Sequence, residues 1–598
     1  MERDRNALTH HIKRQVENLL RIIDLEENGE AVQVDEIRIG TTGDALRSLN
    51  DDSGLSPDNK PNAKIVYEKL SAFRAAEPRL VMIAHFLESL FPFVEFRAGG
   101  RSVAVDGFRL KNLNYWAQYP FANILDNLGE LCSACDSDCE ICFLKGSAVD
   151  YPRKAMLTPK ETRTRIKYFL PENTTGLPLG AGKPGEPFLN PHALDILRAM
   201  RGMHPDVPIK ITTNGNQLTR ETIRALADLK PVTIVLSLNS ADPDLRRRIM
   251  GTRRADKGIA AIPMLREHDI QFIGSIVAPA SQPISDIERT IRYLDRYDAL
   301  QIRLLLPGFT RFHDPSLYFD TENRWGEMVR LFERLRKEIP TPFLVSPSYF
   351  WNQDIRALVD GVYRHSAAAE AGIQFGDLIT EVDGQRVITK AEAAYFLARS
   401  PEEGNGGENR KSLKIRRGDE TFKATLVDDS RTEDDRYPYK PRGYPPAAGF
   451  KEQNFGIHLI DGFSIDAFTE IEEIVDRHPD ARSVLLFTTP LAQPLFAQGA
   501  MITDTFQSFK ERGVELRLTQ AEHRFWGGNI MIGDLHVVQD YIDHLTGLGE
   551  IGYAPDLTVI PRSFVGEWGF DVMGRSYRDI ERITGCSVEL IHNRRAMI

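Results

Sequence analysis

The chain has 598 residues, 42% hydrophobic and 27% charged, with a formal net charge of -10. That length calls for several domains of ordinary globular composition. The absence of any run of about 18 apolar residues excludes an expected membrane span, and the interspersed charges argue against a broad nucleic-acid surface.

Residues 1–115 read as a mainly helical region. Ile12–Ile23 has apolar residues at helical spacing, and Val81–Phe91 reads as a buried helix stopped by Pro92. Asp51–Pro61 reads as a loop. Arg97–Leu110 alternates like a hairpin around Gly99-Gly100. No motif here carries chemistry. The opening Met1-Glu-Arg-Asp-Arg-Asn has no apolar signal region, and cysteine is scarce, so a cytoplasmic location is expected.

Four of the five cysteines then fall together, as Cys132-Ser-Ala-Cys135-Asp-Ser-Asp-Cys139-Glu-Ile-Cys142. Within them Cys135, Cys139 and Cys142 form C-x3-C-x2-C. Three thiolates at this spacing reach three corners of a cubane iron–sulfur cluster and leave the fourth iron open. The alternative is zinc, because Cys132/Cys135 and Cys139/Cys142 are two C-x2-C pairs. Structural zinc knuckles usually stand a dozen or more residues apart, whereas three residues separate these pairs.

From 116 to 345 strands and helices alternate. Ile209–Gly215, Val232–Asn239, Phe272–Ala278 and Gln301–Leu306 read as strands. Helices are expected near Thr219–Leu229, from Pro243, and over Ser285–Tyr297. Apolar strands separated by amphipathic helices imply parallel pairing, with a site at the carboxyl ends of the strands. Arg246-Arg247-Arg248 reads as a solvated helix face, and Arg303 as an inward arginine that holds either a carboxylate or a structural partner.

The order of motifs after the cysteines resembles the radical S-adenosylmethionine (SAM) superfamily. Gly185-Glu186-Pro187 is similar to its GGEP-type segment, Thr212-Thr213-Asn214-Gly215 to its TNG-type turn, and Ser237-Leu-Asn239-Ser240 to its S-x-D strand end. Asp136 stands where many members have Asn, and Asn239 where Asp is common. The resemblance covers roughly 230 residues and implies a partial (β/α)6 barrel in an α/β fold. It implies a 4Fe–4S cluster on Cys135, Cys139 and Cys142, and reductive cleavage of SAM to a 5′-deoxyadenosyl radical. Its implied cofactor-binding set is Ile141, Phe143, Gly185, Glu186, Pro187, Thr213, Asn214, Ser237, Asn239, Val277 and Arg303. It further implies an electron donor such as flavodoxin or ferredoxin. Cys132 is expected to be a bystander, and no auxiliary cluster is expected, because only Cys586 lies downstream.

Residues 346–427 resemble a PDZ domain through Ser366-Ala-Ala-Ala-Glu-Ala-Gly372, Gly376-Asp377-Leu-Ile and Val382-Asp383-Gly384. Leu413–Ile415 and Thr421–Leu426 are its expected last strands. Such a domain accepts a peptide by strand addition, or serves as an intramolecular clamp. Val359-Asp-Gly361-Val-Tyr363 is a poor carboxylate loop. Residues 428–450 read as a polar, proline-rich linker. Residues 451–598 form a third α/β region, with strands at Ser483–Thr489, Val514–Thr519 and Asp556–Pro561. It resembles the carboxyl-terminal domain of unknown function of certain PDZ-containing bacterial radical SAM proteins. Gly527-Gly528 marks either a tight loop or a backbone approach to a ligand. These features point to a radical SAM enzyme acting on an unidentified substrate, a peptide, protein or small molecule. The competing expectation is a non-catalytic zinc-binding PDZ scaffold.

Overall fold

The computed structural model describes residues 34–40, 93–98, 101–105, 131–146, 156, 158–159, 177–179, 185–203, 205, 209–347, 353–364, 366–398, 409–428, 455–459, 463–565, 571, 573, 575 and 577–591. The helices expected before residue 92 lie outside these residues, as does most of the linker. What is described of the N-terminal region is a three-stranded antiparallel sheet. It comprises β1 (Val34–Gly40), β2 (Phe93–Ala98) and β3 (Arg101–Val105), with β2 and β3 forming the expected hairpin around Gly99-Gly100.

The central sheet has six parallel strands in sequential order: β4 (Leu177–Leu179), β5 (Ile209–Thr213), β6 (Val232–Ser237), β7 (Gln271–Val277), β8 (Gln301–Leu305) and β9 (Phe343–Ser346). Its helices include α1 (Ala193–Met203), α2 (Arg220–Ala227), α3 (Pro243–Met250), α4 (Ala255–Glu267), α5 (Ile284–Arg296) and α6 (Thr321–Leu335). Local chemistry fixes where they start. The side chain of Thr219 caps α2, and that of Asp242 caps α3 with Pro243 at its first position. Alternation then sorts the strand side chains. Ile211, Ile234, Leu236, Phe272, Ile276, Ile302, Leu304 and Val345 pack with Leu197, Leu226, Leu265, Leu294 and Leu331 of the helices. The intervening positions, Lys210, Thr212, Thr233, Ser237, Ser275 and Arg303 among them, therefore fall on the opposite, inner face.

The PDZ region contains β10 (Gly361–Val362), α7 (Ala367–Glu370), β11 (Leu378–Val382), β12 (Gln385–Arg386), α8 (Lys390–Ala398), β13 (Asn409–Arg417) and β14 (Glu420–Asp428). Its last two strands enclose the ones expected. Short strand β15 (Ile457–His458), from beyond the linker, pairs antiparallel with β10. Phe455, Ile457 and Leu459 join the PDZ core, while Ile355, ahead of the PDZ strands, joins the core of the next domain. The PDZ region is also tied to the barrel. Arg364 pairs with Asp295 and Asp298, and Gln301 Nε2 and Tyr363 Oη meet the buried ring of His458. The segment suspected as a carboxylate loop is thus paired within the chain.

The C-terminal domain contains α9 (Asp466–Asp476), β16 (Ser483–Phe487), α10 (Gln493–Thr503), α11 (Thr505–Glu511), β17 (Glu515–Thr519), α12 (Val538–Glu550), β18 (Leu557–Pro561), α13 (Arg578–Thr584) and β19 (Ser587–Ile591). Its four strands are parallel in the order β17-β16-β18-β19.

Ile457 is fully buried, and the Asp360 and Tyr363 amides donate to His458 O and Gly456 O. Ile457→Ala is expected to cost about 2–4 kcal/mol and to speed hydrogen exchange at those two amides. Unchanged exchange in the variant would mean that β15 does not hold the PDZ region.

Candidate cofactor site at the strand ends

The cysteine loop has little regular structure of its own. Strand-end groups hold it in place. The amide of Glu186 donates to Ala134 O at 2.7 Å. Its buried carboxylate accepts from Thr213 Oγ1 at 2.6 Å, Asn214 N at 2.7 Å and Phe188 N at 3.3 Å. Burial pushes this carboxyl up to about 7, against three hydrogen bonds that favour its ionised form. Gly185 has φ +107, and a Cβ there would overlap the Cys132 carbonyl oxygen. The Gly-Glu-Pro segment therefore clasps the cysteine loop to β5.

Asp136 is the second anchor. Its carboxylate accepts from Asn214 Nδ2 at 2.8 Å, Asn216 Nδ2 at 3.1 Å and Gln217 Nε2 at 3.0 Å. Asn214 Nδ2 also lies 3.8 Å from Cys135 Sγ. On the other side, the Asp138 and Glu140 amides donate to Met250 O and Ile249 O at the end of α3. Gly251 ends that helix at φ 55, where a Cβ would overlap the Asp138 backbone. Ser281 Oγ, after β7, donates to Glu140 Oε1 at 2.6 Å.

The four cysteines differ in placement. Cys135 is exposed, and Cys139 and Cys142 are half-buried. Cys132 is 2% exposed, forms an antiparallel bridge with Met156, and its thiol donates to Ala134 O at 3.8 Å. Burial and the neighbouring Cys135 and Cys142 push the Cys139 thiol up to about 12. A thiol held up in this way ionises only beside a positive partner. Three thiols on one loop, with Cys132 buried, match the three-thiolate set of a cubane cluster.

Arg246 departs from the solvated-face expectation. It is fully buried and donates to the backbone carbonyls of Leu238 (3.0 Å), Ala255 (2.9 Å), Asn214 (2.5 Å) and Ser237 (3.5 Å). Burial lowers its pKa to about 10, opposed by the nearby Cys139 and Asp136. One guanidinium thereby ties the ends of β5 and β6 together behind the cysteine loop. The missed signal was periodic: Arg246, Ile249 and Met250 share the buried face of α3.

The remaining expected residues divide into two groups. Ser237, Ser275 and Arg303 occupy one row across β6, β7 and β8. Ser275 was not singled out from sequence, although strand alternation puts it on the inner face. Arg303 Nε donates to Gln301 Oε1 at 2.9 Å. Pro187 is buried and opens the turn that follows Glu186. Ile141 is half-buried in the cysteine loop. Asn239, at φ 59, accepts from Val277 N at 2.9 Å, so these two join the ends of β6 and β7 to each other. Phe143 leaves the row: its ring lies 6.0 Å from that of His313 and 6.4 Å from that of Trp526.

That contact belongs to a dock between the barrel and the C-terminal domain. Arg311 N donates to Trp526 O at 2.7 Å, Asn529 N to Phe309 O at 3.0 Å, and Phe309 N to Asn529 Oδ1 at 2.7 Å. A Cβ at Gly528 would overlap Phe309 O. The Gly527-Gly528 doublet thus permits a backbone approach, to the loop after β8. Thr310 Oγ1 continues the chain to Gly146 O, at 2.5 Å.

Substituting Cys135, Cys139 or Cys142 by Ala is expected to remove the iron bound after anaerobic reconstitution, and Cys132→Ala to retain it. Gly185→Ala is expected to lower iron retention as well, because its Cβ displaces the loop. Equal iron loss from Cys132→Ala and Cys135→Ala would contradict this assignment. Separately, Arg246→Met leaves carbonyls at two strand ends without their donor. It is expected to cost about 3 kcal/mol or more in a urea titration, and an unchanged unfolding midpoint would refute the role given to Arg246.

Comparison with known proteins places this geometry. The radical SAM superfamily matches residues 130–294, and the PDZ domain matches residues 358–405. GTP 3′,8-cyclase of Crocosphaera subtropica is 30% identical over 134 residues, which are 21% of this chain and 37% of that protein. FeMo cofactor biosynthesis protein NifB of Chlorobaculum tepidum is 26% identical over 128 residues, 21% of this chain and 30% of that protein. The chain therefore spans about a third of the length of these curated relatives. Among solved structures, Streptococcus suis SuiB bound to S-adenosylmethionine is 20% identical, over 36% of this chain and 49% of that chain, with a TM-score of 0.30. Methylornithine synthase (PylB) is 15% identical, over 34% of this chain and 60% of that chain, with a TM-score of 0.27. The matched span holds the cysteine loop and strands β4 to β7, so residues 130–294 carry a radical SAM domain, of a superfamily whose cofactors are a 4Fe–4S cluster and S-adenosylmethionine, and residues 358–405 carry a PDZ domain.

Proposed function

We propose that the chain is a radical SAM enzyme with one 4Fe–4S cluster on Cys135, Cys139 and Cys142. Bound there, the cluster and S-adenosylmethionine supply an electron and a 5′-deoxyadenosyl radical that takes a hydrogen atom from the substrate. The observation that carries this reading is the placement of three reachable thiols, with Cys132 buried, on a loop clasped to the carboxyl ends of β5 and β6.

The chain's own residues have distinct tasks. Glu186, Asp136 and Arg246 hold the loop against the strands. Ser237, Ser275, Val277 and Arg303 present the inner surface to S-adenosylmethionine, and Ile141 offers an apolar contact from the loop. Phe309–His313 and Trp526–Asn529 wall the site from water on the side of β8, which protects a radical from solvent. An external electron donor such as flavodoxin or ferredoxin reduces the cluster.

The pairing of β15 with β10 supports the PDZ domain as an intramolecular clamp. A second reading, a peptide or protein substrate gripped by strand addition, is favoured by the PDZ match itself. On that reading a peptide must displace β15 from the β10 edge.

The reconstituted, reduced full chain is expected to turn S-adenosylmethionine into 5′-deoxyadenosine, followed chromatographically, and the Cys139→Ala variant is expected to make none. A protein that retains stoichiometric zinc, takes up no iron and makes no 5′-deoxyadenosine would support the scaffold reading instead.

A further inference from the structure

The three thiols are not anchored alike. Glu186 and Asp136 bond the loop on either side of Cys135. The Asp138 and Glu140 amides, bonded to the end of α3, do the same for Cys139. Cys142 lies beyond these contacts and leads into a one-turn 3₁₀ helix, Phe143–Gly146. Its amide donates to Cys139 O at 3.3 Å, and its carbonyl accepts from Lys145 N at 3.0 Å. Those bonds are local. They shape the turn without fixing it to the barrel.

His313 supplies that attachment. It lies on the loop after β8, yet it is only 5% exposed. Its ring rests on Gly146, where a Cβ would overlap Nδ1. Thr310 N donates to Nδ1 at 3.0 Å. The Cys142 carbonyl is a second hydrogen-bond partner of the ring, and a carbonyl only accepts, so the imidazole donates to it. The Thr310 hydroxyl donates to Gly146 O. One imidazole and one hydroxyl thus bind both ends of the turn that starts at the third cysteine.

The loop that carries His313 is itself held by the C-terminal domain. Asn529 Oδ1 accepts from Phe309 N, Asn529 N donates to Phe309 O, and Asn529 Nδ2 donates to Pro307 O at 3.0 Å and to Thr321 Oγ1 at 3.4 Å. Arg311 N donates to Trp526 O. The ring of Phe312 stands 5.7 Å from that of Phe525 and 6.1 Å from that of Trp526. Phe525, Trp526, Val537 and Met573 form an apolar cluster against which Phe312 packs. Backbone groups of a barrel loop therefore find their partners in another domain.

We propose that the C-terminal domain positions the third cluster thiol, with His313 as the positioning residue. This rests on the cluster assignment to Cys135, Cys139 and Cys142. The domain fixes loop 307–313, and His313 passes that position to the Cys142 turn. The groups around a ligand orient it and tune the metal that it holds. A displaced Cys142 therefore alters the cluster itself, and not only its retention.

The test is electron paramagnetic resonance of the reconstituted, dithionite-reduced full chain without S-adenosylmethionine, with iron release to a ferrous chelator followed in parallel. His313→Phe keeps a ring beside Gly146 and removes both hydrogen bonds. It is expected to change the line shape and to release iron about tenfold faster. His313→Gln restores a donor and an acceptor and is expected to return both readouts toward the wild type, which a merely space-filling role would not require. Asn529→Ala, in the other domain, is expected to change the line shape as His313→Phe does. A wild type without a 4Fe–4S signal would overturn the cluster assignment and this proposal together. A wild-type signal that His313→Phe and Asn529→Ala share unchanged would overturn this proposal alone. A change in His313→Phe but none in Asn529→Ala would overturn the part given to the C-terminal domain. Should His313→Phe not fold, the Asn529→Ala spectrum decides in the same way.

Discussion

The fold is organised around one requirement: a loop carrying three thiols has to be held in place although it forms almost no secondary structure. The strand ends solve this through groups that are themselves buried. Glu186 bridges the loop backbone to the end of β5, and the amides after β5 capture Asp136. Arg246 binds the carbonyls behind them. A buried guanidinium that donates to several carbonyls is fully satisfied, and its remaining charge faces the thiol side of the site. The same residues therefore fix the position of the cysteines and set the electrostatics around them.

The domains are joined by more than covalent linkers. Ile355 and Ile457 each pack in the neighbouring domain's core, so the PDZ region and the C-terminal domain stabilise one another. The C-terminal domain in turn meets the barrel loop after β8 through Trp526, Gly528 and Asn529. Phe143, whose ring lies directly against Trp526 of that dock, belongs to the cysteine loop's own continuation. Contacts that wall the barrel mouth thus run directly into the segment that carries the thiols.

Strands β5 to β8 and helices α2, α3 and α5 of the barrel were legible because their chemistry is local, whereas β4 and β9 were not read. Period-two alternation, the Thr219 and Asp242 caps and the Gly251 stop all act within a few residues. The cysteine spacing was legible for the same reason. Less accessible were groups whose partners are remote in sequence. Gly185 reads as a glycine for a ligand, yet its missing Cβ makes room for Cys132 O, more than fifty residues earlier. Arg246 is hidden within a basic run, where charge suggested solvent and only helical period pointed inward. The Gly527-Gly528 doublet was readable as a close backbone approach, but nothing local names the loop at Phe309 as what approaches. Strands β1 and β19 were not anticipated.

The proposed cluster, held by Cys135, Cys139 and Cys142, would leave one iron for S-adenosylmethionine near Ser237 and Arg303. Electron paramagnetic resonance of the reduced, reconstituted full chain probes this arrangement. The expected signal is that of one reduced 4Fe–4S cluster, about four irons per chain, whose line shape changes when S-adenosylmethionine is added. A cluster signal indifferent to S-adenosylmethionine, or a chain holding zinc with no cluster signal, would contradict it.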